Sequence, residues 1–320
     1  MALDRYRQMD NKLSTAIFLT VCYADIFDFP LTFDELYARL VTNEQIPRKR
    51  VFNHLEKGKK QILYREGYYY LSGRAQLIKK RRERNINSEQ KYDTALSIIK
   101  YLSFIPGIRL IGISGSLAVK NCDKSDDIDL FIITEKNMLW IVRFIMVCLL
   151  FLFNRKRSTE DKKAQDKICT NMFLSIDSLA ISVKKRSLYM AYEIGLMKVI
   201  VNKKNTYENF ISKNRWAQHF LPHLIPSAKA KQTRSSIVSV VSQPVNNLLF
   251  YFQYLYMKKR ITREKIGRTF AFFHPIDREN EVQIKLKKRT QGYEKLLPGN
   301  TELVKSKKKI ESDQVQIASI

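Results

Sequence analysis

Residues 112–134 read GISGSLAVKNCDKSDDIDLFIIT, and three aspartates, Asp126, Asp127 and Asp129, crowd four of those positions. Asp127 and Asp129 flank Ile128, and the apolar run Leu130, Phe131, Ile132, Ile133 follows. On a strand, residues two apart project from one face. These two carboxylates therefore converge while Ile128 and Leu130 turn to the core. Like charges so placed repel, and a divalent cation between them offsets the repulsion. Mg²⁺ suits such a place, being a hard ion usually held by one or two carboxylates together with substrate phosphates. Asp126 points the other way and reads as a loop or strand-entry residue.

Ten residues, 117–126, separate this pair from Gly115-Ser116. These two follow the strand pattern IRLIGIS and open a short helix at SLAVKN. Glycine lets the backbone approach an anion without a Cβ in the way. Amide N–H groups at a helix start, with a serine hydroxyl, then make a phosphate cradle. A metal seat and a phosphate cradle on neighbouring strands together suit a nucleoside triphosphate.

G-S, ten residues and D-x-D, with apolar strands around both, resembles the signature of the DNA polymerase β-type nucleotidyltransferase superfamily. The resemblance covers about 25 residues closely and 88–180 more loosely in the order of elements. It implies that Gly115 and Ser116 bind the triphosphate, that Asp127 and Asp129 hold Mg²⁺ or Mn²⁺, and that two metals serve in-line displacement at phosphorus. Family members often carry a basic residue and a glycine soon after the G-S; here Val119 and Lys120 follow, and Lys120 is the candidate basic residue. A third carboxylate is expected on a later strand. If CTNMFLSID is that strand, 171, 173, 175 and 177 share a face, leaving Asp177 or Asn171 to approach the metals. Asp177 is preferred for its charge; Asn171 would weaken a second metal.

The elements that must position these residues follow from the rest of the chain. Its 320 residues carry 57 Lys and Arg against 31 Asp and Glu, a net +26 that draws phosphate-rich or anionic partners. At this length two or three domains are expected. The four cysteines are scattered, with no zinc spacing, and read as reduced thiols of a cytoplasmic protein. The polar, acidic start shows no secretory signal. MLWIVRFIMVCLLFLF, 138–153, is shorter than the roughly 20 residues a spanning helix needs and carries Arg143, so it reads as a buried helix, with membrane association as the alternative.

In residues 1–78, three helical patterns precede an alternating strand pair around Arg65-Glu66-Gly67. Thr32 and Glu35 form a capping-box pattern, and Pro47 opens the third helix, whose exposed side would carry Arg48, Lys49, Arg50, Lys57, Lys59 and Lys60. That order resembles the winged-helix module with a basic recognition helix, hence possible contact with nucleic acid. The charge run KKRRERNINSEQK (79–91) reads as a connector or the start of a linking helix. An α/β nucleotidyltransferase core is expected over 79–186, a helical C-terminal region over 187–276, and a basic, flexible tail over 277–320. His54, His219, His223 and His274 read as ordinary histidines; Arg143 reads as pairing an acid or helping a phosphate. The fold class is α/β (α+β), and the expected activity is transfer of an NMP from ATP or another NTP to an acceptor, the oligomeric state being left open. The rival is a nucleic-acid-binding regulator with a nucleotide-sensing transferase domain.

Overall fold

Leu13, Ala16, Ile17, Val21 and Ala24 recur at helical spacing and bury one face of the first helix, α1 (Ala2–Asp25). The structure is a computed structural model describing residues 2–58, 60–156, 165–230, 241–258, 265–273 and 278–291, with side chains described except at 2–9 and 171. Thr32 starts α2 (Phe33–Ala38): its hydroxyl accepts the Glu35 N–H at 3.3 Å, and the Glu35 carboxylate accepts the Thr32 N–H at 3.0 Å. α3 (Arg48–Glu56) follows Pro47 and buries Val51 and His54. Strands β1 (Ile62–Arg65) and β2 (Tyr68–Leu71) pair antiparallel through Glu66 and Gly67, whose φ values of 53° and 87° suit a two-residue hairpin turn. Leu31, between α1 and α2, pairs with Tyr69 and extends this hairpin by a bridge.

His54 is tied to α1 from both sides of its ring, with Nδ1 2.9 Å from Asp10 Oδ1 and Nε2 2.9 Å from Ser14 Oγ. Sequence alone gave no sign of this trio. The imidazole is buried, and Ser14 also donates to the Asp10 carbonyl, so the contact works as a core tie between α1 and α3.

Of the two readings of the run 79–91, the start of a helix is the one found. It lies inside α4 (Leu77–Leu102), a helix of 26 residues continuous with the apolar stretch up to Pro106. Then come β3 (Ile108–Ile113), the single turn α5 (Gly115–Ala118), β4 (Ile128–Thr134), α6 (Leu139–Leu152), β5 (Ile168–Ser175), α7 (Leu188–Leu196), β6 (Lys198–Asn202), α8 (Thr206–Lys213), α9 (Gln243–Lys258), β7 (Lys265–Ile266), β8 (Phe270–Phe272) and α10 (Arg278–Thr290). One mixed sheet runs β6-β3-β4-β5-β8-β7, with β4 and β5 parallel and the other pairs antiparallel. The protein is thus mixed α/β.

Alternation along β4 divides the core. Ile128, Leu130 and Ile132 face a cluster with α4 and α6, whereas Phe131 and Ile133 face one with α7, α8 and Tyr23 of α1. Residues 187–276 are accordingly not a separate helical region, since β6, β7 and β8 complete the sheet begun by β3. Lys198–Asn202, KVIVN, continues the apolar pattern of α7 and becomes a strand by pairing along β3, which its β-branched residues allow. The expected tail is corrected as well. Residues 278–290 form α10, which buries Val282 and sends Arg289 Nε to Asp25 Oδ2 at 2.7 Å. Residues 292–320 lie outside the described residues, as do Lys59 and His274.

Among the described residues no helix is long and apolar enough to cross a membrane. α6 buries Leu139, Trp140, Val142, Met146 and Leu150 on one side and leaves Phe144, Phe151 and Leu152 exposed. Arg143 pairs with no acid among the described residues. Its guanidinium donates to Gln253 Oε1 at 2.5 Å and lies 4.6 Å from the Phe273 ring centroid, and burial pushes its pKa down to about 10.

α6 has no side-chain cap of its own; instead the buried Asn246 of α9 accepts the Trp140 N–H at 2.8 Å. An Asn246→Ala chain should lose about 1–2 kcal/mol of stability, as for a helix-cap deletion, read as a lower urea midpoint at unchanged slope.

Candidate active site

Asp127 is the last residue before β4 and Asp129 the second residue within it, both half-buried at the sheet's edge of entry. Ile128 and Leu130 are fully buried on the opposite face, as alternation requires. β5 runs parallel to β4 with Cys169 opposite Asp129. The two carboxylates and the Cys169 thiol each offer an atom, and these atoms lie within 4.8 Å of one another.

Gly115 closes this group from the β3 side. Its φ is +65°, and a Cβ there would stand 2.5 Å from Asp129 Oδ2, so both the backbone conformation and the carboxylate demand glycine. The preceding Ser114 N–H donates to the Asp129 carbonyl at 3.0 Å. Gly112, one strand position before Ile113, leaves the space that Met197 fills. α5 is only one turn, so its dipole adds little and any anion binding falls to its free N–H groups.

Asp126 lies in the loop that enters β4, as the sequence reading has it. Its carboxylate Oδ2 accepts the Ser116 hydroxyl at 3.2 Å and the Asp123 N–H at 3.0 Å, which joins the Gly-Ser turn to the acidic strand. A stripe on α4 then holds the whole connecting loop. Arg81 Nη1 donates to the Lys120 carbonyl at 2.7 Å, and Arg84 forks onto both Asp123 oxygens at 2.9 and 2.7 Å. Ser88 Oγ accepts the Cys122 N–H at 3.0 Å, while the buried Lys91 donates to the Asp126 carbonyl at 2.7 Å and to Asp166 Oδ1 at 2.9 Å. Positions 81, 84, 88 and 91 share one helix face. The Arg84 hydrogen bonds hold the Asp123 carboxyl below the usual range against the opposing effect of burial.

Lys120 sits at φ +56°, exposed, with Nζ 3.3 Å from Glu89 Oε1 of α4. Turning it to a phosphate breaks only an exposed pair worth at most about 1 kcal/mol. Asp177 is not part of the group. Ser175 pairs with Thr134 at the other end of the parallel strands, about 20 Å from Cys169 at about 3.3 Å per residue, and Asp177 lies beyond it. Parity misled the reading because the pairing shifts between Leu130–Thr170 and Phe131–Met172, so Asn171 is the extra residue. Beyond that shift Met172 and Leu174 share the face of Cys169, and Phe173 faces the other cluster. The Asn171 side chain lies outside the described residues.

The helical reading from Ser187 onward includes α7 but gives it no place beside this group. Tyr189 and Glu193 lie on its side of the sheet, and burial raises the Tyr189 phenol well above its ordinary value, with the charges of Glu193 and Asp129 adding to the effect. Burial also raises the Glu193 carboxyl, partly offset by Arg278 and by the Tyr189 hydroxyl hydrogen bond. Glu193 lines an apolar pocket with Ser114, Phe131, Met172 and Met197. Only the tertiary fold brings α7 here, and no spacing in the sequence announces it. His223 is an ordinary histidine, accepting the Ile46 N–H on Nε2 at 3.2 Å.

No family model matches the chain, and comparison with curated proteins and with solved structures found no match. Gly115→Ala should cost about 1–3 kcal/mol by forcing φ or displacing Asp129. It should also weaken Mn²⁺ binding, both effects checked by urea denaturation and by paramagnetic resonance of added Mn²⁺.

Proposed function

We propose that this chain is a divalent-cation-dependent nucleotidyltransferase, moving an NMP from an NTP to an acceptor with release of pyrophosphate. The observation that carries the reading is the closure of the Gly115 turn onto Asp129, beside Asp127, with no room for a side chain between them. Two carboxylates on one strand face fit a cation, and a glycine backbone pressed against them fits the polyphosphate that the cation would share. Asp127 and Asp129 would hold Mg²⁺ or Mn²⁺; the bound ion neutralises charge on the phosphates. Gly115, Ser116 and Lys120 are the residues that would contact the triphosphate. An acceptor oxygen attacks the α-phosphorus while the bond to the β-phosphate oxygen breaks, and the acceptor's proton passes to a base or solvent. The Lys91, Arg84 and Arg81 stripe keeps the acidic loop in place without touching the reacting atoms.

The first 78 residues support a companion reading. Their order of three helices and a hairpin, with Leu31 bridging to Tyr69, is that of a winged-helix-like unit. On α3 and just beyond it Lys49, Lys57 and Lys60 are exposed, Arg50 is half-buried, and Arg48 pairs with Asp34. With a net charge of +26 this favours a nucleic-acid acceptor or partner. The rival, a nucleotide-sensing regulator with little turnover, is favoured by Cys169 standing opposite Asp129 where a third carboxylate is expected.

Incubation with each labelled NTP, Mg²⁺ or Mn²⁺, and cellular RNA, protein and metabolite fractions should give label transfer and pyrophosphate. Asp127→Ala or Asp129→Ala should lower it by on the order of a thousandfold. Absence of transfer from the unaltered chain with every NTP rejects the enzymatic reading. For the basic helix, the triple change Lys49→Ala, Lys57→Ala and Lys60→Ala should lower the slope of log affinity against log salt for RNA or DNA by about 2–3. An unchanged slope removes α3 from the interface.

A further inference from the structure

We infer that Cys169 donates its sulfur, as thiolate, to the cation seated between Asp127 and Asp129, so that this seat takes a borderline or soft divalent ion of the zinc kind in preference to Mg²⁺. The inference rests on the metal reading proposed above and names the third ligand of that site. Parallel pairing puts Cys169 directly opposite Asp129, on the same face of the sheet, and its Sγ is within 4.8 Å of a carboxylate oxygen of each aspartate. Two donors bound tetrahedrally about 2.0–2.3 Å from one ion stand about 3.3–3.8 Å apart, so side-chain rotations of about an ångström at the ligand atoms complete the set. Gly115 leaves that carboxylate its place, since a Cβ there would stand 2.5 Å from Asp129 Oδ2. Sulfur changes the preference. Carboxylates and water suit Mg²⁺ and Mn²⁺, whereas thiolate favours softer ions, and Mg²⁺ gives up its waters reluctantly. Cys169 is half-buried, so as the metal–sulfur bond forms the thiol proton can pass to water.

The other thiols leave the test clean. Burial pushes the Cys22 thiol up to about 12 and the Cys122 thiol up to about 11, and the exposed Cys148 is removed as Cys148→Ser. The full chain in that background is titrated with Cd²⁺, and separately with Co²⁺, while thiolate-to-metal charge-transfer absorption is followed in the near ultraviolet. The band should grow to a stoichiometric end point and vanish in Cys169→Ser. Asp129→Asn should weaken apparent Cd²⁺ affinity by on the order of a hundredfold, at the upper end of what loss of an outer-shell partner costs. Cys169→Asp, which restores an all-oxygen set and guards against a misfolded serine variant, should lose the band yet keep Mn²⁺ binding. A band that survives Cys169→Ser, or no band at saturating metal, overturns the inference. If the band is missing while NMP transfer still requires Asp127 and Asp129, the thiol assignment falls and the transferase reading stands. If the band is present and no NTP binds, the thiol assignment stands and the transferase reading falls.

Discussion

Two carboxylates held on one strand face repel each other by on the order of 4 kcal/mol at about 4 Å and an effective dielectric of about 20. Asp127 and Asp129 stand side by side on one face of the strand, and the packing of β4 fixes their places. β4 is buried on both sides beyond Asp129, so the strand cannot slide without moving Ile128, Leu130 and Ile132 out of one cluster and Phe131 and Ile133 out of the other. Gly115 packs its α-carbon against the carboxylate, and Ser114 takes the Asp129 carbonyl. Positive charge is brought near as backing for the loop: Lys91, buried on α4, spends its donors on the Asp126 carbonyl and on Asp166.

That backing makes α4 more than a connector. Its stripe at 81, 84, 88 and 91 meets residues 120, 123, 122 and 126 of the loop between the glycine turn and the acidic strand. Arg81 reaches at the same time to Glu35 Oε1 at 2.8 Å, and Arg84 to the Phe27 carbonyl at 3.3 Å. The first unit and the loop before β4 are therefore held by the same side chains. Further ties reinforce this: Tyr23 stacks on Tyr192 with centroids 4.1 Å apart, Tyr192 donates to the Arg39 carbonyl at 2.8 Å, and Arg74 and Arg289 share Asp25.

Much of this was legible because it depends on local periodicity. The D-x-D alternation, the strands at 108–113 and 128–134, the capping box at Thr32 and Glu35 and the hairpin at Glu66-Gly67 are decided by neighbours within a few residues. The failures have one cause, which is pairing between distant segments. KVIVN continues a helical pattern until β3 offers it an edge, and Arg278–Thr290 is polar and basic until Val282 finds the α7 cluster and Arg289 finds Asp25.

The sequence by itself determined that two carboxylates face one way beside a glycine turn, because side-chain direction on a strand follows from its period of two. Only the tertiary structure decided what stands opposite them. The parallel course of β5 and its register at the entry of the strand put a thiol, rather than the acid at 177, across from Asp129. Strand parity is a local property, but which strand lies alongside, and in what register, is set by the packing of whole faces.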